Sequence, residues 1–280
     1  MKTHYSTRYA ASPQDVKSYD TARLRNEFLI ENLMEQDKIN LVYTHYDRFI
    51  AGSAVPTGSP LKLETIDPLK SEYFLQRREL GIINVGQTGT VSVDGTKYTL
   101  EHKEALYIGQ GNKDVVFSSE SANDPALFYL NSTPAHKAFP NKKIGTNDVE
   151  VIELGSPETA NARILRKYIV NSVVDVCQLQ MGMTTLKTGS SWNTMPAHVH
   201  DRRMEVYFYF EVPEDQAVCH FMGQPQETRH IWMGNNQAVI SPPWSIHSGS
   251  GTSSYTFIWG MAGENLDYGD MDHCKINELR

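Results

Sequence analysis

The chain has 280 residues, a formal net charge of −7 and a hydrophobic content of 40%. This length suits one large domain or two of ordinary size. Lysine and arginine form no dense tract and no apolar run is long enough to cross a bilayer, so we expect neither a nucleic-acid nor a membrane partner.

The first residues lack the apolar core of a signal peptide, which predicts a cytoplasmic protein. The three cysteines, Cys177, Cys219 and Cys274, follow no pairing pattern. We therefore expect reduced thiols with a structural role rather than a redox pair or a zinc cluster.

Residues 1–37 are predicted to form an N-terminal arm that contains helix. Ser12-Pro13 offers a capping hydroxyl followed by proline at the first helical position. A second helix is predicted over Thr21–Leu29, with Leu24 and Phe28 on one face. The expected role of this arm is to cover a sheet or a neighbouring subunit.

From Lys38 onward the sequence changes to short β-type runs separated by Gly, Pro, Asn and Asp. Asp94-Gly95, between Val93 and Thr96, is a strong signal for a two-residue hairpin. Many short strands at regular spacing predict an all-β sandwich or barrel.

A weak internal repeat suggests two related β halves, residues 38–150 and 151–280. Arg77-Arg78-Glu79 precedes a strand much as Arg202-Arg203-Met204-Glu205 does, and Asp114 falls near where His247 falls in the second half. We expect Glu79 to be a solvated or salt-bridged counterpart rather than a metal ligand.

The second half contains the pattern of a single-metal site: His198, His200, Glu205 and His247. In a strand, residues i and i+2 point to the same face, so both histidines can face one cavity. Glu205 has the wrong parity for the same strand, which predicts a turn or bulge at 201–203 and a return on the next strand. Three imidazoles and one carboxylate are typical ligands of a catalytic divalent transition metal such as zinc.

The spacing His-x-His-x4-Glu, with a distant histidine after a Pro-rich turn, resembles the two motifs of the cupin superfamily. Trp244 stands where that superfamily usually has glycine. Longer segments resemble the 5-dehydro-4-deoxy-D-glucuronate isomerases of pectin breakdown, over 24–29, 77–84, 192–210, 222–230 and 244–249.

This resemblance implies two cupin-type jelly-roll β-barrels, the first (38–150) degenerate and the second (151–280) metal-binding. It implies one Zn²⁺ per subunit held by His198, His200, Glu205 and His247, and a homo-oligomer that is often a hexamer. Manganese, iron or nickel would also suit these ligands.

The implied reaction is an aldose–ketose isomerisation of a small uronate, 5-dehydro-4-deoxy-D-glucuronate, to 3-deoxy-D-glycero-2,5-hexodiulosonate. A base must remove the C2 proton and an electrophile must stabilise the enediolate oxygen. The candidates for the base are metal-bound hydroxide, Glu227, and Tyr207 or Tyr209.

The substrate carboxylate calls for a cation, because arginine binds carboxylates in bidentate fashion. Arg202, Arg203 and Arg229 are the candidates nearest in sequence to the predicted ligands, and Trp244 is a candidate wall of the pocket.

Three alternatives stay open. One is a related cupin isomerase that acts on 5-deoxyglucuronate, and another is an Fe(II) cupin dioxygenase, since the same ligands can hold iron. A third is a sugar-sensing or storage cupin without enzymatic activity.

Overall fold

A computed structural model describes residues 3–264 and 268–280; the first two residues of the predicted arm and positions 265–267 lie outside the described part. The two α-helices found there are α1 (Pro13–Val16) and α2 (Thr21–Phe28). Short 3₁₀ helices span Asp67–Leu69, Phe74–Gln76, Pro157–Thr159 and Ile276–Glu278.

Strands make up most of the regular structure. Up to residue 144 they are β1 (His4–Arg8), β2 (Leu29–Ile30), β3 (Ile39–Thr44), β4 (Ile50–Ala54), β5 (Leu61–Lys62), β6 (Arg78–Asn84), β7 (Gly89–Val93), β8 (Thr96–Leu100), β9 (Ala105–Ile108), β10 (Val115–Ser119), β11 (Phe128–Pro134) and β12 (Lys142–Ile144).

The later strands are β13 (Glu150–Leu154), β14 (Arg163–Ile169), β15 (Gln180–Leu186), β16 (Trp192–Asn193), β17 (His198–Val199), β18 (Arg203–Phe210), β19 (Val218–Gln224), β20 (Glu227–Met233), β21 (Gln237–Ser241), β22 (Ser248–Gly251), β23 (Thr256–Gly263) and β24 (Asp272–His273).

The chain divides into two compact units that interleave along the sequence. The N-terminal unit contains 1–8, 32–150 and 168–181, and the C-terminal unit contains 9–31, 151–167 and 182–280. The N-terminal arm is thus shared: β1 pairs in parallel with β3, whereas β2 pairs with β21. The domain ranges 1–37, 38–150 and 151–280 stay a prediction.

The N-terminal unit consists of a seven-stranded sheet, in the order β1-β3-β4-β11-β6-β9-β12, and a four-stranded sheet, β5-β10-β7-β8. One apolar core joins residues from both sheets, such as Ile82 and Leu130 from the first and Val91 and Phe117 from the second. The predicted hairpin is confirmed, because β7 and β8 pair around Asp94 and Gly95, which both have positive φ.

The C-terminal unit repeats this plan with the sheets β13-β14-β15-β23-β18-β21-β2 and β16-β22-β19-β20. The all-β cupin fold is confirmed, with one difference from the expected barrels. Within the described ranges, the two sheets of each unit face each other without joining into a closed hydrogen-bonded ring.

The predicted start of the first helix is confirmed, since the Ser12 side chain accepts a hydrogen bond from the Gln14 N–H. The second helix begins after Asp20, whose carboxylate accepts from the Arg23 N–H, and buries Leu24 and Phe28. No helix within 3–264 or 268–280 has the length and apolarity that crossing a membrane requires.

Candidate metal centre

Three segments of the C-terminal unit position the four predicted ligands. His198 lies in β17, and His200 follows two residues later, just before a turn at Asp201 and Arg202. The chain then enters β18, whose third residue is Glu205. His247 directly precedes β22 and follows the turn that Pro242 begins. The predicted turn between His200 and Glu205 is therefore confirmed.

The ligand atoms of these four residues converge on one point, all within 4.8 Å of one another. His198 Nε2 lies 3.1 Å from His200 Nε2 and 2.9 Å from His247 Nε2. Glu205 Oε2 lies 3.3 Å from His200 Nε2 and 3.0 Å from His247 Nε2. Ligands bound at about 2.0–2.1 Å from a zinc ion are separated by roughly 2.9–3.4 Å, so the spacing fits a shared metal.

Burial lowers the pKa of two of the four ligands, His198 and His200. It lowers the pKa of His198 to about 2, with further contributions from His247 and His200, and it is also the main cause of the lowered pKa of His200. Burial alone would raise the pKa of Glu205, but His247 and His200 outweigh it and lower that pKa. The unprotonated nitrogens of His198 and His200 face each other at 3.1 Å and repel, and a cation between them and the carboxylate removes the repulsion. The residues therefore fit a divalent metal ion.

Contacts behind the ligands orient them. His200 Nδ1 lies 2.7 Å from the Asp270 carbonyl and 3.2 Å from Arg203 Nε, and these contacts orient the ring so that Nε2 faces the other ligands. The guanidinium of Arg203, fully buried, donates to the carbonyls of Tyr268 and Asp270 at 2.9 and 3.1 Å. Arg203 thus holds the segment that orients His200.

Two of the four ligands, His198 and Glu205, form part of the wall of a cavity of about 700 Å³. Besides the ligand His198, three basic side chains line this cavity, Arg163, His273 and Lys275, and Glu205 is the one carboxylate among the described lining residues. The other lining residues are Leu154, Leu165, Thr184, Thr194, Met195, Pro196, His198, Tyr207, Phe257, Trp259, Met261, Tyr268, Met271 and Cys274. The cavity combines an apolar surface with a cationic side suited to an anionic ligand.

Tyr207 is the predicted catalytic residue that lies in this wall. Its hydroxyl is 2.8 Å from Thr194 Oγ1, and its ring contacts that of His247 edge to face at 5.4 Å. Burial raises the pKa of Tyr207 well above its ordinary value. Tyr209 lies deeper, where its hydroxyl pairs with His220 Nδ1 at 2.8 Å.

The predicted arginines have other partners. Arg202 is exposed and pairs with the Asp270 carboxylate at 2.7 Å, and Arg203 braces the segment behind His200. Arg229 donates to backbone carbonyls of the arm, including that of Val16 at 3.2 Å. None of these three arginines is among the described residues that line the cavity.

Glu227 and Trp244 also lie outside the described lining. Glu227 is exposed at the first position of β20 and pairs across the hairpin with Gln224. The Trp244 ring packs edge to face on Phe28, with centroids 6.4 Å apart. The structure thus brings together the four ligands and Tyr207, and directs the other candidates elsewhere.

Two parts of the cavity wall could not be predicted from the sequence, because no local sequence pattern marks them. Arg163 is the first residue of β14, distant from the ligands in sequence, and only the sheet order brings it near them. The segment 268–275 reaches the site because β24 pairs with β17, which sets His273 opposite His198. A pair of two-residue strands leaves no periodicity to detect.

A two-sheet, all-β unit with a buried cluster of three histidines and one glutamate is the arrangement of a cupin-type protein with a candidate metal site. The model of the KduI/IolB family matches residues 28–276, and the chain belongs to this family.

Curated relatives agree over the full chain. The 4-deoxy-L-threo-5-hexosulose-uronate ketol-isomerase of Formosa agariphila is 72% identical over 100% of both chains, and that of Bacteroides fragilis is 58% identical with the same coverage. A crystal structure of an IolB-like protein from Salmonella typhimurium LT2 has a TM-score of 0.67 at 14% identity and covers 81% of this chain and 86% of its own. The chain is thus an enzyme of the ketol-isomerase type, an intramolecular oxidoreductase.

Proposed function

We propose that this protein is a metal-dependent ketol-isomerase that converts 4-deoxy-L-threo-5-hexosulose uronate, also called 5-dehydro-4-deoxy-D-glucuronate, to 3-deoxy-D-glycero-2,5-hexodiulosonate. The observation that carries the proposal is the buried cluster of three histidines and Glu205. Two of its members, His198 and Glu205, line a cavity that also has basic residues in its wall. Relatives named for this substrate, with full coverage and identities up to 72%, support it.

The proposed metal is zinc, held by His198, His200, Glu205 and His247. When bound there, zinc would supply a Lewis acid for the C1 and C2 oxygens of the substrate. The histidines and Glu205 would hold the ion in a buried setting, where charge interactions are stronger than in water.

The substrate carboxylate would bind Arg163. Arg163 Nη1 donates to the Asn161 carbonyl at 2.8 Å, and its other nitrogens have no partner among the described residues. A guanidinium with open N–H groups can take a carboxylate in bidentate fashion. Lys275, which is exposed and lines the same cavity, would add a second positive charge.

Two groups of the wall could assist proton transfer between C2 and C1. The Tyr207 hydroxyl, which lies 2.8 Å from Thr194 Oγ1, would donate a hydrogen bond to a substrate oxygen. His273 has its ring 5.6 Å from that of His198, at the edge of the same cavity. The exposed position of Glu227 on a hairpin makes this carboxylate a weaker candidate for the base than these two.

A proton NMR time course in D₂O would test the proposal, with the purified protein before and after chelation. We expect loss of the C1 aldehyde signal, growth of a hydroxymethyl signal, deuterium at C1, and no conversion after chelation. An unchanged substrate with metal present would reject this activity.

The same assay offers a second substrate, 5-deoxyglucuronate, because the matching family includes IolB-like proteins as well. Faster turnover of that substrate would favour the related isomerase. Oxygen consumption during turnover would favour the dioxygenase instead.

A homo-oligomeric assembly, a hexamer by resemblance, and a cytoplasmic location are part of the same proposal. Light scattering of the purified protein would test the first, and fractionation of the cells that produce it would test the second.

A further inference from the structure

The N-terminal unit has a cavity of its own, of about 430 Å³. It lies where the turn between β3 and β4 meets the segment 68–77 and the ends of β6 and β11. Three arginines line it, Arg48, Arg77 and Arg78, and none of its described lining residues is an aspartate or glutamate. Three guanidinium groups without a lining carboxylate give this cavity a strongly positive wall.

Arg78 is the buried member of this group, with 4% of its surface exposed. Its Nε donates to Ser132 Oγ at 3.0 Å, and its Nη2 donates to the carbonyls of Ser132 and Arg48 at 2.7 and 2.8 Å. Its Nη1 has no hydrogen-bond partner among the described residues. All three acceptors are neutral, so the charge of Arg78 is not balanced by a bonded carboxylate.

The adjacent Glu79 forms no hydrogen bond or ion pair with the Arg78 guanidinium. Its two oxygens accept from the hydroxyls of Tyr107 and Thr133, at 2.7 and 3.0 Å. They also accept from the backbone N–H groups of residues 177–179 at 2.8–2.9 Å. A buried cation without an ion-pair partner is costly, and a bound anion would remove much of that cost.

The other two arginines are free to add charge. The Arg48 side chain is exposed and makes no hydrogen bond to any residue that the structure describes. Arg77 uses Nη2 for the carbonyls of Leu69 and Lys70, at 2.8 and 2.9 Å, which leaves its Nε and Nη1 open. The hydroxyls of Tyr43 and Ser71 belong to residues of the same lining and are further hydrogen-bond donors.

We propose that this cavity binds a small oxyanion, a carboxylate or a phosphate group, between Arg48, Arg77 and Arg78. Arginine suits this role because its planar fork of donors matches the oxygen pairs of both groups. The site lies in the unit that lacks the metal ligands, and its occupation does not depend on the proposed isomerase activity.

Titration calorimetry of the intact, metal-loaded protein would test this, with inorganic phosphate in one arm and acetate in the other at constant ionic strength. We expect saturable binding in at least one arm. Arg48→Gln should weaken the affinity by about tenfold or more, since a hydrogen bond to a charged group is lost. The matched control is Lys97→Gln, which removes an exposed charge of the same unit on β8 and should leave the affinity within about twofold.

Arg78→Lys is a second variant that keeps the charge and loses the fork, and it should also weaken binding. Circular dichroism and metal content confirm that each variant is folded. Binding of phosphate alone, or of acetate alone, would support the site and define its ligand. Absence of saturable binding, or an affinity that Arg48→Gln leaves unchanged, would overturn the proposal and leave Arg78 as a structural brace.

Discussion

The two units have the same order of strands in their sheets, but the side chains in their interiors differ in polarity. The run β3-β4-β11-β6-β9 of the N-terminal unit corresponds to β14-β15-β23-β18-β21 of the C-terminal unit, and the four-stranded sheets also correspond. The first interior is an apolar cluster. The second contains polar contacts such as Tyr209–His220 and Asn193–Tyr255, the latter at 2.6 Å.

The strand register shows which residue of the N-terminal unit corresponds to the candidate ligand Glu205. Glu205 pairs with Ser241, the last residue of β21, and Leu80 pairs with Ile108, the last residue of β9. The position of Glu205 in the C-terminal unit is thus occupied by Leu80, a core residue, in the N-terminal unit. The same fold therefore packs an apolar core in one unit and forms the candidate metal site in the other, according to a few inward-facing residues.

Two buried arginines stand at matching positions two residues earlier, Arg78 and Arg203. Each braces backbone carbonyls: Arg203 those behind His200, and Arg78 those of Arg48 and Ser132. A buried arginine that holds backbone carbonyls is common to both units, whereas the candidate metal ligands belong to the C-terminal unit.

Glu205→Leu copies the N-terminal residue into the C-terminal unit and should have the largest effect. We expect loss of bound metal and a fall in kcat/KM of about 10³-fold or more, because Lewis-acid stabilisation is worth several kcal/mol. Metal analysis and the isomerisation assay would measure both. Retention of one metal per chain would contradict the ligand assignment.

Glu79→Gln should destabilise the protein without touching the metal. Glu79 is buried and accepts five hydrogen bonds, and an amide cannot satisfy all five donors. The unfolding free energy should fall by about 3 kcal/mol, as expected when buried donors lose their acceptors.

Denaturant unfolding and metal analysis would check this. Thr133→Val is the milder control, since it removes one donor and should cost about 1 kcal/mol. A loss of metal in Glu79→Gln would mean that the two carboxylates are not separate in function.

Arg163→Gln should act on substrate binding alone. We expect KM to rise by about 10- to 100-fold, equal to a lost charge-assisted pair, with metal content unchanged. Arg166→Gln is the matched control: it lies three residues along β14, so it points to the other face, and its Nη1 bonds Thr185 Oγ1. Equal effects in both variants would remove Arg163 from the carboxylate site.

Asp114→Asn should have the smallest effect. Asp114 directly precedes β10, as His247 precedes β22, yet it is exposed and pairs with Lys62. Surface ion pairs contribute little to stability. Metal content and thermal midpoint should both match the unmodified protein, and a shift in either would reveal a role that its position does not suggest.

The sequence was sufficient for the metal cluster because its signal is local. His198 and His200 are two residues apart, and the parity of Glu205 required the turn that is found before β18. The short strands and the Asp94-Gly95 hairpin follow from equally local rules. The whole ligand set could therefore be predicted, although not the pairing of β17 with β24.

The cavity wall depends on distant pairings that no local rule encodes. Closeness in sequence favours Arg202, Arg203 and Arg229, whereas Arg163 reaches the cavity through the sheet order. Glu79 was expected to be solvated or salt-bridged, and this was wrong. It is fully buried and bonded to neutral donors, three of them nearly 100 residues away.

The Glu79 carboxylate also limits where the chain can be cut to give an intact N-terminal unit. The segment 168–181 belongs to the N-terminal unit although 151–167 belongs to the other, and Glu79 binds the backbone of residues 177–179. A fragment cut after residue 150 would leave Glu79 without three of its donors. A self-sufficient N-terminal fragment would have to recover 168–181 as a separate peptide or through a new covalent connection, so a simple cut between the two sequence halves does not excise a whole unit.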